Sequence, residues 1–106
     1  MNQALELLDR ALETARSEMR ALAARNYELA AELHASRAQL VQDAWHLRTA
    51  VPVELYRSKL NELSELQKSL MRTARDARDI VRASLQHTHR QQKRLGAYQK
   101  CLRMAF

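Results

Sequence analysis

The chain has 106 residues, a length typical of a single domain. It contains one glycine and one proline, and strong helix formers dominate, so the composition excludes a sheet-rich fold and predicts an all-α protein. The net charge is +6, and no apolar run approaches the roughly 20 residues that span a bilayer, so we expect no membrane insertion.

The first predicted element is one long helix over residues 3–48. Apolar residues recur at alternating spacings of three and four, with 5, 12, 19, 26, 33 and 40 at one core position and 8, 15, 22, 29 and 36 at the other. This is the heptad pattern of a coiled coil, with Asn26 and Ser36 as polar exceptions in the core. A helix of this length would extend for about 65 Å.

A turn is predicted over residues 49–52, where Pro52 cannot lie inside a helix. Proline suits the first position of a new helix, and Glu54 favours a helix N-terminus. Because short loops join antiparallel neighbours, we expect the two helices to fold back on each other.

The second predicted helix runs over residues 53–95 or beyond, with an apolar ladder that begins at Tyr56 and Leu60. After Leu85 the expected core positions are occupied by polar residues, and an amphipathic segment follows over residues 95–106. The predicted fold is therefore an antiparallel coiled-coil hairpin of two long helices, with a short C-terminal helical extension left open. Residues near 86–106 are expected to be incompletely covered.

The sequence offers no recognisable catalytic, metal or cofactor site. His87 and His89 are two residues apart and would point about 200° apart on a helix, so they cannot share a metal. A single glycine leaves no glycine-rich loop to hold phosphate. Cys101 is the only cysteine, and it lies beside basic residues. We therefore predict a protein that binds another protein and is not an enzyme.

Trp45 is the only tryptophan, and it lies where the first predicted helix ends. Two interpretations stay open. Trp45 packs against the start of the second helix near Tyr56, or it anchors a partner protein.

Positive charge is concentrated in the second half of the chain, and no acidic residue follows Asp79. We predict a basic docking face for an acidic or amphipathic protein partner, formed by Arg82, Arg90, Lys93 and Arg94. A solvated basic face is an alternative. Nucleic acid is less favoured, because few aromatic residues accompany these charges and no recognition motif is present.

Three stretches resemble the FlgN-type flagellar export chaperones of type III secretion. They are Leu22-Ala23-Ala24-Arg25-Asn26-Tyr27-Glu28-Leu29 followed by Leu33 and Arg37, then Leu63–Leu70 with Arg75-Asp76-Ala77-Arg78-Asp79-Ile80, and the Gln/Arg-rich run to Leu95 and Tyr98. Asp76 and Asp79 stand where the family often has asparagine.

The resemblance implies a cytoplasmic chaperone that binds the amphipathic C-terminal helix of a hook–filament junction or other secreted protein. Such a chaperone keeps its client unassembled and brings it to the export gate. By position, the contact stripe would comprise Ile80, Val81, Leu85, Leu95, Tyr98 and Leu102. A structural coiled-coil component, such as the stalk of an export ATPase, is the alternative, and a homodimer through the spare apolar face also stays open.

Overall fold

The computed structural model describes residues 2–83 and 89–104. Its elements are the helices α1 (Gln3–Ala23), α2 (Tyr27–His46), α3 (Val53–Ala83) and α4 (His89–Met104), with a short 3₁₀ turn (Arg48–Ala50) between α2 and α3. The described residues form no strand, so the predicted all-α class is confirmed.

The helix predicted over residues 3–48 is in fact two helices, because the chain turns at 24–26. Arg25 adopts the left-handed conformation, with φ of 60°. The amide of Asn26 donates to the carbonyl of Ala21 at 2.8 Å, and the amide of Arg25 donates to the carbonyl of Leu22 at 3.0 Å. This pair of bonds is the Schellman ending of a helix, with arginine at the position that glycine usually occupies.

Asn26 is the N-cap residue that precedes α2, and it does not occupy a coiled-coil core. Its side-chain oxygen accepts a hydrogen bond from the amide of Leu29 at 3.2 Å, which is the geometry of a helix N-cap. Asn26 itself is exposed. The predicted core position of Asn26 is therefore wrong, because the capping bond needs its side chain at the helix end.

The single helix predicted over 53–95 is instead two helices, α3 and α4, separated by residues outside the described ranges. α4 returns along α3, and the side-chain amide of Gln67 donates to the carbonyl of Leu102 at 2.6 Å. Gly96, the single glycine of the chain, lies inside α4.

The four helices pack as an up-and-down bundle. α1 packs against α2 and α3, and α4 packs against α3 and α2. The longest dimension is 52 Å, shorter than the 65 Å expected for a hairpin of two uninterrupted helices. The long axis is set by α3, whose 31 residues extend for about 46 Å.

The core divides into two clusters along this axis. All four helices contribute to one cluster, which includes Leu22, Leu70 and Tyr98. Only α1, α2, α3 and the turn before α3 contribute to the other, which includes Leu8, Leu40 and Leu63. The molecule is thus a four-helix bundle at one end and a three-helix bundle at the other.

Three of the C-terminal apolar residues are buried inside the four-helix end, whereas Met104 is 76% exposed. The exposed fractions of Leu95, Tyr98 and Leu102 are 0%, 1% and 2%. The expectation of incomplete cover is wrong for these residues, because α4 folds back between α2 and α3 and buries them against the rest of the chain.

The left-handed Arg25 gives the first testable prediction. Arg25→Gly should raise the free energy of unfolding by about 0.5–1 kcal/mol. A residue with a side chain loses about 1–2 kcal/mol in the left-handed conformation, and the extra conformational entropy that glycine gives the unfolded chain offsets only part of this gain. Urea unfolding followed by circular dichroism measures the change. Arg25→Ala is the control, since it removes the charged side chain but keeps the Cβ atom. A fall in stability for Arg25→Gly contradicts the argument.

Candidate functional site

The end of α4 leaves one side of the bundle open. Leu102, near the end of α4, lies beside Gln67, and α3 begins fourteen residues earlier at Val53. Because α4 continues two residues past Leu102 to Met104, about 18 Å of α3, at 1.5 Å per residue, has no described residue of α4 beside it. A channel between α2 and α3 therefore continues beyond the C-terminal end of α4.

This channel is a groove of about 650 Å³, which we call the α2–α3 groove. Apolar atoms dominate its lining. The lining residues are His34, Ala38, Val41, Gln42 and Trp45 of α2, Tyr56 and Leu60 of α3, and Cys101 and Met104 of α4. A mainly apolar concavity with a few polar groups is the form that a binding site usually takes.

Trp45 is the most prominent side chain of the α2–α3 groove. It is 50% exposed, although its ring centroid lies 6.4 Å from that of Tyr56. The guanidinium of Arg48 stacks 3.6 Å from the centroid of the Trp45 ring and also donates to the Trp45 carbonyl at 2.8 Å. The indole is thus held in place on one side while the other side faces solvent, which is the arrangement of a preorganised anchor.

Tyr56 adds an unused hydrogen-bonding group to the same site. Its side chain is only 7% exposed, and its hydroxyl has no hydrogen-bond partner in the part of the chain that the structure describes. Burial raises the pKa of the Tyr56 phenol, so the group stays protonated. Because a buried hydroxyl without a partner is unfavourable, the groove gains from an occupant that supplies an acceptor.

A second concavity of about 440 Å³ shares Trp45, Tyr56 and Leu60 with the groove. It lies around the connection from α2 to α3 and includes Val51 and Val53. Val53 is strongly exposed, and so are its neighbours Leu47 and Leu55. The apolar surface therefore extends from the groove around the three-helix end.

A buried polar network closes the other end of the groove. The Arg37 guanidinium bonds the Glu18 carboxylate through Nε at 2.5 Å and Nη2 at 3.4 Å, and the Tyr98 hydroxyl donates to Glu18 Oε2 at 2.5 Å. Arg37 Nη2 also lies 3.0 Å from Nδ1 of His34. These four residues come from α1, α2 and α4, so the network fixes where α4 lies.

The environment shifts two groups of this network. Burial, and then the neighbouring Arg37, lower the pKa of His34, which favours the neutral ring beside the guanidinium. Burial and the bond to Glu18 raise the pKa of Tyr98, so this phenol remains a hydrogen-bond donor. The arrangement is suited to holding α4 in place.

The predicted contact stripe is not one surface. Leu95, Tyr98 and Leu102 are core residues, whereas Ile80 is 53% exposed on α3. Val81 lies in α3, and Leu85 lies outside the described residues. A single partner helix therefore cannot contact all of them on the folded bundle.

One residue of the predicted basic face is paired within the chain. Arg82 and Lys93 are exposed, and Arg90 lies near the start of α4. Arg94 forms an ion pair with Glu28 of α2 at 2.6 Å, so part of its charge is already balanced within the chain.

Sequence reasoning identified Trp45 but missed most of the site. Glu18, Arg37 and His34 were not expected to be buried together, because the sequence pattern does not show which helices pack against one another. The one feature of the sequence that could have indicated this buried network is the presence of isolated polar residues on otherwise apolar helix faces.

Comparisons with known proteins identify no relative of this chain. No protein-family model matches the sequence, and no curated protein or solved structure is significantly similar to it. None of the described helices is long and apolar enough to cross a membrane. Within residues 2–83 and 89–104, no group of three or more His, Cys, Asp or Glu side chains could hold a metal ion. The functional argument therefore depends on the geometry of the chain itself.

The Tyr98 hydroxyl gives the second prediction. Tyr98→Phe should lower the free energy of unfolding by about 1.5–3 kcal/mol, because the buried Glu18 carboxylate loses a donor. Tyr56→Phe is the matched control and should change stability little, since its hydroxyl has no partner to lose in the described structure. Chemical denaturation measures both. Equal losses for the two variants would show that the bond to Glu18 is not the cause.

The lowered pKa of His34 gives a pH dependence. The unfolded chain binds a proton at His34 near pH 6.5, while the folded protein resists doing so, so stability should be lost as the pH falls below about 6.5 towards the lower folded pKa. His34→Gln should flatten this part of the profile, and the exposed His46→Gln should leave it unchanged. Denaturation between about pH 5 and 7.5 tests this; parallel profiles for the wild type and His34→Gln would contradict it.

Proposed function

We propose that this protein is a non-enzymatic chaperone that binds an amphipathic helix of a partner protein in the α2–α3 groove. The single observation that carries the proposal is the continuity of this groove with the channel that α4 occupies. α4 is itself a helix with one apolar face, and it lies in the same space between α2 and α3. A second helix laid end to end with α4 would complete the four-helix bundle.

The dimensions of the groove support a helix as the occupant. About 18 Å of open channel accommodates roughly 12 helical residues, or about three turns. Helix-in-groove recognition relies on apolar anchors at spacings of three and four, and the lining of Val41, Trp45 and Leu60 can receive such anchors.

Two features of the lining favour a specific occupant. The indole of Trp45 is restrained before binding, so less entropy is lost when a partner covers it. The hydroxyl of Tyr56 can donate to a polar atom of the partner helix, which gives orientation as well as affinity.

The class of client follows from the resemblance to FlgN-type chaperones. The proposed client is the amphipathic C-terminal helix of a hook–filament junction or other type III secreted protein. Covering that helix would prevent premature assembly and leave the complex free to reach an export gate. We place the contact at the α2–α3 groove, since half of the stripe expected from the sequence lies in the core.

Trp45 supplies the test. It is the only tryptophan, so its fluorescence should shift to shorter wavelength when a synthetic C-terminal helix of a hook–filament junction protein fills the groove. Trp45→Ala should weaken binding at least about tenfold in calorimetry, because loss of a central aromatic anchor commonly costs about 2 kcal/mol or more. Tyr56→Phe should weaken binding by a smaller factor.

Ile80→Ala is the matched control, because Ile80 is equally exposed but belongs to the stripe expected from the sequence. It should leave the affinity within about twofold. Loss of binding in Ile80→Ala, with Trp45→Ala unaffected, would move the site away from the groove. Self-association of the free protein that Trp45→Ala abolishes would identify a second copy as the occupant and refute the proposal.

A further inference from the structure

A separate cleft, between α3 and α4, brings three arginines together and has no carboxylate in its described lining. It has a volume of about 200 Å³ and is lined by Met71, Arg75, Arg78, Gln99, Leu102 and Arg103. Arg103 and the groove residue Cys101 are two positions apart on α4, so they point in nearly opposite directions. The cleft is therefore a different surface from the α2–α3 groove.

Protein acceptors for the three arginines of the cleft are missing within hydrogen-bonding distance among the described residues. Nε of Arg78 is buried and donates to no acceptor in the described structure, and the carboxylate oxygen of Asp79 is 4.0 Å away. Arg75 and Arg103 form no hydrogen bond or ion pair within the described ranges. No carboxylate lines the cleft as far as the structure describes it.

Some basic residues elsewhere in the chain form ion pairs. Arg37 bonds Glu18, Lys59 bonds Asp9 at 2.7 Å, and Arg94 bonds Glu28. Three guanidinium groups around one small cleft repel one another unless an anion balances them. The cleft thus brings three positive charges together, with no carboxylate in its described lining.

We propose that this cleft binds the carboxylates of an acidic segment of a protein partner. The planar fork of arginine matches a carboxylate through two parallel hydrogen bonds. Met71 and Leu102 offer apolar surface to the methylene groups of a glutamate side chain. A nucleic-acid backbone fits less well, because it needs a row of cations and stacking aromatic rings, whereas these arginines converge on one point and no aromatic residue lines the cleft in the described structure.

This inference does not rest on the proposed function, since neither Trp45 nor Tyr56 lines the cleft. Loss of acidic-segment binding would leave the groove proposal standing, and the reverse also holds.

Calorimetry at low salt tests the inference with a short capped peptide of alternating glutamate and alanine. The double variant Arg75→Gln/Arg103→Gln should weaken binding by about tenfold or more, because it removes the charge-assisted hydrogen bonds of two guanidinium groups to the peptide carboxylates. Arg10→Gln/Arg57→Gln is the charge-matched control on exposed positions outside the cleft and should weaken binding far less.

The variant Arg75→Lys/Arg103→Lys keeps both charges and removes only the planar forks. It should bind the peptide more weakly than the wild type, and it remains informative if the glutamine variant fails to fold. Equal weakening in the cleft variant and the control would show that overall charge, not the cleft, attracts the peptide, and would overturn the proposal. Tighter binding of inorganic phosphate or of a single-stranded oligonucleotide than of the peptide would also overturn it.

Discussion

The buried ion pair between Glu18 and Arg37 is the constraint on which the rest of the structure depends. Two charges removed from water are tolerated only when their hydrogen-bonding capacity is met, and leaving one of them unpaired costs about 3–5 kcal/mol. Tyr98 supplies the missing donor from α4, and His34 receives a further bond from Arg37. The network therefore selects one position of α4 along the channel between α2 and α3, where apolar packing alone would tolerate small shifts.

The fixed position of α4 creates the groove. Because Tyr98 must reach Glu18, the C-terminal end of α4 lies near the middle of α3, and the three-helix end stays open on one side. Trp45 and Tyr56 border that opening. The same interaction that seals the predicted contact residues Leu95 and Leu102 into the core thus leaves a different apolar surface available for a partner.

Part of the fold could be read from composition and periodicity. Helix-forming residues predicted the all-α class, and Pro52 predicted the turn before α3, because a proline inside a helix removes a hydrogen bond and clashes with the preceding turn. The turn at 24–26 could not be read in this way. The turn contains neither glycine nor proline, and the heptad spacing of apolar residues continues across it. The pattern therefore predicted a helix that runs past Arg25, where the structure has a Schellman ending.

By itself, the sequence determined that the chain is helical and that it turns at Pro52. It also marked Trp45 and the basic second half of the chain as candidates for a functional role. Only the tertiary structure decided which faces meet: that Glu18 and Arg37 are buried together, that α4 returns along α3, and that Arg75, Arg78 and Arg103 converge on one cleft. The physical reason is that helical periodicity specifies which residues share a face of one helix. The partner of that face depends on chain reversals, and on buried polar contacts between residues as far apart as Glu18 and Tyr98.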